Sequence, residues 1–431
     1  MKNFLTITIA LVYIGCNLQA QSYETIQSQP VVITNATIHT GNGTVIENGI
    51  IGFENGVIAF IGNAATVRYN PENYEVIHAD GKHVYPGLIA PNTTLGLNEL
   101  EAVRATNDMV ETGTFNPNVR SIVAYNTDSR VIPTLRTNGI LLAQIVPQGD
   151  IISGTSSVVE TDGWNWEDAV YKMDNGMQLN WPAFNTYKWN NGLQVVENPE
   201  YMHIIQSIEI YFNEAFAYSK ANKPAPVNLR FEAMRGVFTG EKKLFIHANG
   251  AREIMHAVQF AKSMEIEPVI VGGAESNLIT GFLKENNVAL ILERVHALPY
   301  RNDYDTDLPY KLPAILWDAG ITFCLSVSNG GDGYWNQRNL PFEAGTAAAY
   351  GLSREQALQS ITLNTAKILG IDSTAGSLEK GKDATLLICE GDILDMQTSK
   401  ITEAFIRGRK VDVVNWQNDL YEKYSKKYNL K

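Results

Sequence analysis

Short apolar runs alternate with helical patterns over residues 87–370, and this alternation constrains the fold more than any other feature of the sequence. The runs that predict strands are GLIAP, GILLAQIVP, KLFIHA, EPVIVGG, VALILERV and ITFCLSV. Apolar residues at helical spacing between them predict helices, as in AREIMHAVQFAKSM. Strands that alternate with helices over such a distance indicate a parallel sheet. The length of the segment suits a (β/α)₈ barrel, a fold of the α/β class, which we predict for residues 86–370.

Residues 116–181 fit this alternation less well. Their central sequence, GDIISGTSSVVETDGWNWEDAVYKM, is rich in Gly, Ser and Trp and follows a strand. We interpret it as a β-rich or irregular insertion, which either lines a ligand pocket over the barrel mouth or packs on the barrel rim. The segment LPYRNDYDTDLPYKLP, after the seventh predicted strand, allows the same two interpretations.

The chain on either side of the barrel segment carries short strands instead. GNG, ENG and ADG separate runs rich in Val and Ile over residues 31–84, a pattern typical of hairpins. The same pattern of short apolar runs and turn residues appears again after residue 370, in AGSLEKGKDATLLICEGD and ITEAFIRGRKVDV. We therefore predict one small composite β-sandwich domain, built from residues 31–85 and 371–414. Residues 415–431 predict a C-terminal helix that docks on the protein, with a partner-binding tail as the alternative.

The first twenty residues predict export. Lys2, an apolar run over residues 4–14 and the small residue Ala20 form the pattern of a signal peptide cleaved after residue 20. A lipoprotein anchored at Cys16 is the alternative. The run is too short to span a bilayer, and nothing later approaches twenty uninterrupted apolar residues. We therefore expect a periplasmic or secreted protein without a membrane span.

Charge and cysteine content narrow the range of partners. The formal net charge of −12 argues against nucleic acid and against anionic membrane surfaces. Cys324 and Cys389 remain after the signal peptide and lie far apart within apolar runs. They predict small core residues, because two distant cysteines do not make a disulfide scaffold. The expected partner is a small-molecule ligand or substrate.

Three motifs carry a resemblance to a known family. VVITNATIHTGNGTVIENGIIGFENGVIAFIG looks like its opening strands, and HVYPGLIAPNTTLG is similar to its first barrel strand and loop, PGLIDxHxHLG. SREQALQSITLNTAKILGI followed by AGSLEKGKDATLLIC is similar to ALxxxTxNPAxxLGL…GSLExGKxADLVV. On these motifs, residues 31–414 resemble the amidohydrolase superfamily and its imidazolonepropionase-like branch. The resemblance implies metal-assisted hydrolysis of non-peptide carbon–nitrogen bonds, often in cyclic amides, at the mouth of a barrel.

The resemblance also implies a set of metal ligands, and the sequence departs from it at most positions. The family has His-x-His after strand 1, often a Lys or Glu on strand 4, histidines on strands 5 and 6, and an Asp on strand 8. The matching positions here hold Asn92, Thr94, His247, Gly272 and Ser328, with no residue assignable on strand 4. Neutral oxygens are poor zinc ligands beside imidazole. From this ligand count we expect no stoichiometric zinc and negligible hydrolysis of cyclic amides.

A rebuilt site for a single divalent ion such as zinc is the alternative. It would combine His247 with His296, which follows the seventh predicted strand, and with a carboxylate. Carboxylates on candidate loops are Glu275, Glu293, Asp303 and Asp305. We assign no catalytic residue, and we place the mouth pocket at Asn92, Thr94, His247, Asn249, Gly272, His296 and Ser328. The histidines of the small sheet region, His39, His78 and His83, are expected at the surface or in turns.

Two functions follow from these observations. The first is an exported hydrolase of non-peptide carbon–nitrogen bonds whose ordinary two-metal site is largely lost. The second is a catalytically inactive amidohydrolase-like protein that binds a ligand or forms a non-catalytic subunit. In the second case the chain would assemble as a homo- or hetero-oligomer with a related amidohydrolase.

Overall fold

The computed structural model describes residues 27–189, 192–222, 225–327 and 333–430. The predicted signal peptide and Ser328 lie outside these residues. The strands are β1 (Val31–His39), β2 (Val45–Glu54), β3 (Val57–Asn63), β4 (Glu75–His78), β5 (His83–Pro86), β6 (Leu88–Thr93), β7 (Ile140–Ile145), β8 (Ile152–Glu160), β9 (Val170–Asn180), β10 (Asn185–Trp189), β11 (Leu193–Glu197), β12 (Lys243–Ala248), β13 (Pro268–Gly272), β14 (Ala289–Leu292), β15 (Phe323–Leu325), β16 (Leu386–Cys389), β17 (Ile401–Ile406) and β18 (Arg409–Val411).

The helices lie mostly between the strands of residues 86–370, as the alternation predicts. They are α1 (Val131–Arg136), α2 (Trp166–Ala169), α3 (Tyr201–Ser219), α4 (Leu229–Thr239), α5 (Ala251–Ser263), α6 (Thr280–Glu285), α7 (Leu308–Asp318), α8 (Gly333–Asn336), α9 (Leu340–Ala349), α10 (Arg354–Ser360), α11 (Leu363–Leu369) and α12 (Trp416–Tyr428). No helix in the described part of the chain is long and apolar enough to cross a membrane.

Eight strands form the barrel, in the order β6, β7, β8, β9, β12, β13, β14 and β15. Every neighbouring pair is parallel except those of β8, which is antiparallel to both β7 and β9. At the seam between β15 and β6, the Ser326 hydroxyl donates to the Pro91 carbonyl oxygen at 3.0 Å. The predicted barrel is confirmed, with one strand reversed.

The third and fourth barrel strands correct the interpretation of residues 116–181 as an insertion, because β8 and β9 belong to the barrel wall. All nine residues of β8 are buried, including its serines and threonine. Two of these hydroxyls donate inside the protein: Thr155 to the Pro117 carbonyl and Ser156 to Asn175 Oδ1. Hydrogen bonding removes most of the cost of burying a hydroxyl, so a strand with the composition of a loop can lie in a core.

The two ends of the chain build one eight-stranded sheet. Its order is β18, β17, β16, β5, β1, β2 and β3, with β4 paired to β1. The two halves meet where β5 pairs antiparallel with β16, so that Tyr85 lies opposite Leu387. Phe53 and Phe405 pack edge to face in its separate core, with ring centroids 5.1 Å apart. The composite domain is thus confirmed, since each half supplies strands whose apolar faces are buried only together.

An ionic cluster fixes the composite domain against the barrel. Glu160 and Asp162 lie at the end of β8, and Arg407 and Arg409 come from the hairpin of β17 and β18. Both arginines reach Glu160 at 3.3 Å, and Arg409 also pairs with Asp162. Arg136 at the end of α1 binds the second carboxylate at 2.9 Å. Every charge in the cluster therefore has an opposite partner.

The terminal helix α12 contacts the rest of the protein mainly near its first turn. Asn415 caps it and donates to Thr137 Oγ1 at 2.9 Å, and Arg130 lies 4.8 Å from the Trp416 ring centroid. Tyr421, Tyr424 and Tyr428 are exposed, so these three rings are not packed on the barrel. Elsewhere in the fold, both cysteines predicted to be core residues are buried and free.

Candidate functional site

A cavity of about 260 Å³ lies where the carboxyl ends of several barrel strands meet. Parallel strands of a barrel bring such ends together from distant parts of the sequence. Among the side chains that line it are Asn92, Thr94, Asn180, His247 and Glu293. The structure therefore places three residues of the expected mouth pocket, from the first and fifth barrel strands, around one space. We call this space the polar cavity.

His247 is held in place by a polar network that crosses the barrel interior. Its Nε2 donates to Oε1 of Gln178 on β9 at 2.9 Å. Gln178 and Gln144 both donate to the Ser156 hydroxyl oxygen, at 3.0 and 3.1 Å. Gln144 Oε1 in turn accepts the backbone N–H of Asn92 at 3.1 Å. The network thus connects the fifth strand to the loop after the first.

Gln178 stands on the fourth barrel strand, where the sequence leaves the ligand position unassigned. The side chain is 1% exposed, as is that of Gln144. Sequence reasoning missed both residues, because a neutral amide carries none of the signals of a metal ligand or a catalytic group. The only available signal is a glutamine inside an apolar strand run, which needs a buried partner.

Burial also sets the protonation state of His247. Removal of the imidazole from water lowers its pKa to about 4, so the ring is neutral at neutral pH. The proton lies on Nε2, since Gln178 Oε1 can only accept. Nδ1 is then an acceptor, and it has no hydrogen-bond partner within the described residues.

Glu293 brings a carboxyl group to the same cavity. It directly follows β14, and among the described residues it makes no hydrogen bond or ion pair. Burial raises the pKa of this carboxyl to about 7. A carboxyl that titrates near neutrality in a cleft has the property that general acid–base catalysis requires. The sequence placed Glu293 on a candidate loop without giving it this role.

Two neutral polar groups complete the polar cavity. The Thr94 hydroxyl is buried without a hydrogen-bond partner. Asn92 has a positive φ of 51°, and its side-chain amide makes no hydrogen bond with the described residues. Asn180, by contrast, is engaged, since its amide donates to the carbonyls of Gly149 and Asp150 at 3.2 and 2.6 Å. Of these three side chains, Thr94 and Asn92 are thus left to bind a ligand.

A second cavity, of about 300 Å³, adjoins the polar cavity and shares Glu293 with it. Gly272 and Asn249 line this space, and Gly272 has a φ of 107°. A Cβ at residue 272 would lie 2.5 Å from Asn249 Oδ1, which accepts the backbone N–H of Ala274. The Asn249 amide therefore occupies the space that a side chain on the sixth strand would need.

His296 lines neither cavity. Its Nδ1 lies 3.2 Å from Glu343 Oε1, and its Nε2 lies 2.6 Å from Thr346 Oγ1, both on α9. The hydrogen bond to Glu343 raises the pKa of His296. The structure does not bring His296 together with His247. Across the described ranges, no three His, Cys, Asp or Glu side chains are grouped so that they could hold a metal ion.

Two other acidic residues of the candidate loops are engaged elsewhere, and Asp305 lines neither cavity. Glu275 accepts hydrogen bonds from the Tyr304 hydroxyl at 2.6 Å and from the Ala251 backbone N–H at 2.9 Å. Asp303 pairs with Arg301 at 3.1 Å. Glu293 is therefore the candidate-loop carboxylate that lines the polar cavity.

The chain is similar to known proteins in two ways: it matches a family model, and a short segment of its sequence matches individual proteins. A family model described as the amidohydrolase family matches residues 316–415. The imidazolonepropionases of Bacillus mycoides (strain KBAB4) and Bacillus cereus (strain B4264) are each 51% identical to the chain over 51 residues. Each match covers 12% of this chain and 12% of the relative, so it spans only a small part of those proteins.

Solved structures resemble the chain over most of its length. An amidohydrolase from Thermotoga maritima MSB8 superposes with a TM-score of 0.76 at 22% identity, covering 89% of this chain and 99% of that one. Ochratoxinase from A. niger gives a TM-score of 0.51 at 13% identity, covering 89% of this chain and 96% of that one. At these identities the likeness concerns the fold.

Proposed function

Since the chain belongs to the amidohydrolase superfamily, we propose that it is a hydrolase of non-peptide carbon–nitrogen bonds, of the cyclic amide type, that works without the ordinary two-metal site. Membership of the superfamily supports a hydrolase. We replace the expectation of negligible hydrolysis of cyclic amides, which rested on the metal ligands alone, by turnover at Glu293 that needs no metal ion. The observation that carries the finer proposal is the partly buried carboxyl of Glu293, whose pKa of about 7 and position in the same cavity as the neutral His247 suit proton transfer.

The donor set at the mouth fits a pair of divalent ions poorly. Asn92 and Thr94 offer neutral oxygens, and Gly272 offers no side chain. The Nε2 atom of His247 is already bonded to Gln178. Neutral oxygen donors leave the charge of a divalent ion uncompensated. No step of the proposed reaction therefore uses a metal ion.

Each group of the polar cavity can take a separate role in amide hydrolysis. The ionised Glu293 carboxylate accepts a proton from the water that attacks the carbonyl carbon. The Thr94 hydroxyl and the Asn92 amide donate hydrogen bonds to the carbonyl oxygen as negative charge develops on it. Glu293 then returns the proton to the leaving nitrogen when the carbon–nitrogen bond breaks. His247 Nδ1 accepts a hydrogen bond from the substrate or from the attacking water.

A second candidate function is ligand binding without turnover, alone or as a non-catalytic subunit beside a related amidohydrolase. The observation that favours it is that internal partners fill the former ligand positions. Gln178 holds His247, and Asn249 covers Gly272. When side chains occupy the positions of the metal ligands, the pocket can still bind a ligand, but it lacks the metal ion that activates the attacking water.

Turnover measured after removal of metal separates the two functions. The full chain is treated with a chelator and assayed with 2-pyrrolidinone, hydantoin and dihydrouracil, alongside Glu293→Gln and the control Asp303→Asn, whose side chain is 67% exposed. We expect turnover that survives chelation and falls about 100-fold or more in Glu293→Gln, because general acid–base catalysis contributes that much. Saturable binding without turnover supports the second function. Zinc-dependent turnover that His247→Ala abolishes contradicts both.

Export and assembly are also proposals. The signal-peptide pattern of residues 1–20 supports a periplasmic or secreted location, and cleavage is checked by sequencing the N-terminus of the protein purified from its natural host.

Association with a second amidohydrolase rests on the second candidate function alone. Mass measurement in solution tests it.

A further inference from the structure

The second cavity differs in chemical character from the polar cavity beside it. Most of its wall is apolar and includes Leu292, Val295, Leu298, Leu308, Pro309 and Leu312. Its polar wall residues include Asn249, Glu293 and Arg294, which directly follow β12 and β14. Ligand sites are typically apolar pockets with a few polar groups that fix orientation, and this space has that composition. We call it the apolar cavity.

The wall of the apolar cavity is fixed by contacts between loops. Part of its wall is formed by the loop from β14 to α7, which also contains Tyr304. The Tyr304 hydroxyl donates to Glu275 Oε1 at 2.6 Å, and Glu275 Oε2 accepts the backbone N–H of Ala251 at 2.9 Å. The loop is therefore tied both to the loop after β13 and to the first residue of α5. A pocket with a preformed wall binds without first ordering a loop.

Glu293 connects the apolar cavity to the polar one, because it lines both spaces. A ligand whose amide lies at Glu293 can therefore extend a substituent into the apolar space. The volume of about 300 Å³ is several times the ≈ 30 Å³ that one water occupies in the liquid, and it accommodates a branched aliphatic or phenyl group.

We propose that the apolar cavity is a specificity subsite, which takes an aliphatic or aromatic substituent of an amide whose polar group lies at Glu293. The inference rests on the proposed function, which places the amide group of the ligand at Glu293. The expected ligands are amides with an adjacent apolar substituent, which should bind in preference to small polar cyclic amides. Burial of a leucine-sized group out of water supplies the preference.

The test compares two ligands that differ by one apolar group. Binding of N-acetylleucinamide and N-acetylglycinamide to the full chain is measured by titration calorimetry, and toluene binding is measured by ligand-observed NMR. Leu298→Asp places a charge at the apolar cavity, and Leu298 is 83% exposed, so the fold tolerates the change. Leu278→Asp is the matched control, because Leu278 is 57% exposed and lines neither cavity.

We expect the leucine compound to bind about tenfold tighter or more, since apolar groups of this size give such discrimination. Leu298→Asp should remove the preference and weaken toluene binding, whereas Leu278→Asp should leave both unchanged. Equal affinity for the two amides, or no toluene binding, overturns the subsite while the proposed function stands. Toluene binding without binding of either amide, and without turnover of any cyclic amide, overturns the proposed function and the role of the subsite in it.

Discussion

His247 on β12 donates its Nε2 proton to the side-chain oxygen of Gln178 on β9, across 2.9 Å. In the parallel register of the two strands, His247 lies opposite Asn180, so the bond runs diagonally to a residue two positions earlier. It fixes the tautomer of the imidazole with a neutral partner. A neutral partner also gives the charged form no support, which suits the lowered pKa of His247.

Replacement of Gln178 by glutamate should raise the pKa of His247 from its value of about 4. A carboxylate at this distance stabilises the imidazolium, whereas the amide does not. NMR titration of the His247 ring protons measures the change. Gln178→Leu is the control: the pKa should stay low, and stability should fall by about 1–3 kcal/mol because buried polar groups lose their partner. An unchanged pKa in Gln178→Glu would show that the two side chains do not meet in solution.

Restoring a histidine at residue 272 should destabilise the protein without creating a zinc site. Gly272 has a φ of 107°, and a Cβ there would lie 2.5 Å from Asn249 Oδ1. Backbone strain of this kind costs about 1–3 kcal/mol. Gly281→His is the matched control, since a Cβ at residue 281 meets nothing within 4 Å. Thermal melts give the stability, and mass spectrometry gives the zinc content.

The triple variant Asn92→His, Thr94→His and Gly272→His extends this prediction to the whole ligand set. We expect neither the unaltered chain nor this variant to hold stoichiometric zinc, because Asn249 still occupies the space beside residue 272. One tightly bound ion per unaltered chain would refute the interpretation of the mouth as a site without metals.

Glu293 should make the stability of the protein fall as pH rises. Its pKa of about 7 in the folded state lies above the ordinary value of 4.5, so the folded state binds more protons between these values. The stability that protonated Glu293 contributes is complete below about pH 4.5 and is lost as pH rises through 7. At about 1.36 kcal/mol per pKa unit, the upper limit of the loss is about 3 kcal/mol.

Glu293→Gln isolates this contribution, because glutamine cannot titrate. The variant should match the unaltered chain near pH 4.5 and exceed it in stability at pH 8. Denaturant melts at both pH values measure the difference. Parallel pH profiles for the two proteins would mean that Glu293 is as hydrated in the folded state as in the unfolded one.

His83 should make the protein less stable in acid. The expectation that His39 and His83 lie at the surface or in turns is wrong, because both are half-buried between the composite domain and α10. His39 bonds Glu355 at 2.7 Å and His83 at 3.0 Å, and stacks on Tyr85 at 4.4 Å. Burial and, next, the neighbouring His39 lower the pKa of His83, while the nearby carboxylates Asp392 and Glu47 oppose the shift.

A lowered pKa means that the unfolded state binds more protons. The stability that neutral His83 contributes is present above its ordinary pKa of 6.5 and is lost as pH falls. His83→Gln should therefore flatten the loss of melting temperature between about pH 7 and pH 5. His203→Gln, at a side chain that is 78% exposed, should leave the profile unchanged. A profile unaffected by His83→Gln would assign the acid sensitivity to other groups.

Part of the candidate site followed from sequence, and part did not. Asn92, Thr94 and His247 follow strands that motifs identify, so their meeting around one cavity follows from barrel closure. His296 follows a strand as well, yet its ring binds Glu343 on α9. The end of a strand fixes the position of the backbone. The direction of the next few side chains depends on packing against helices that lie far away in sequence.

The sequence by itself determined the barrel and the composite domain, because apolar periodicity and turn residues are local properties and both chain ends carry them. Only the tertiary structure decided the character of the site. Gln178 meets His247 across 69 residues of sequence, and Asn249 fills the space beside Gly272. Glu293 acquires its raised pKa from burial between two cavities. Such properties arise from desolvation and from contacts between distant residues, which no local pattern encodes.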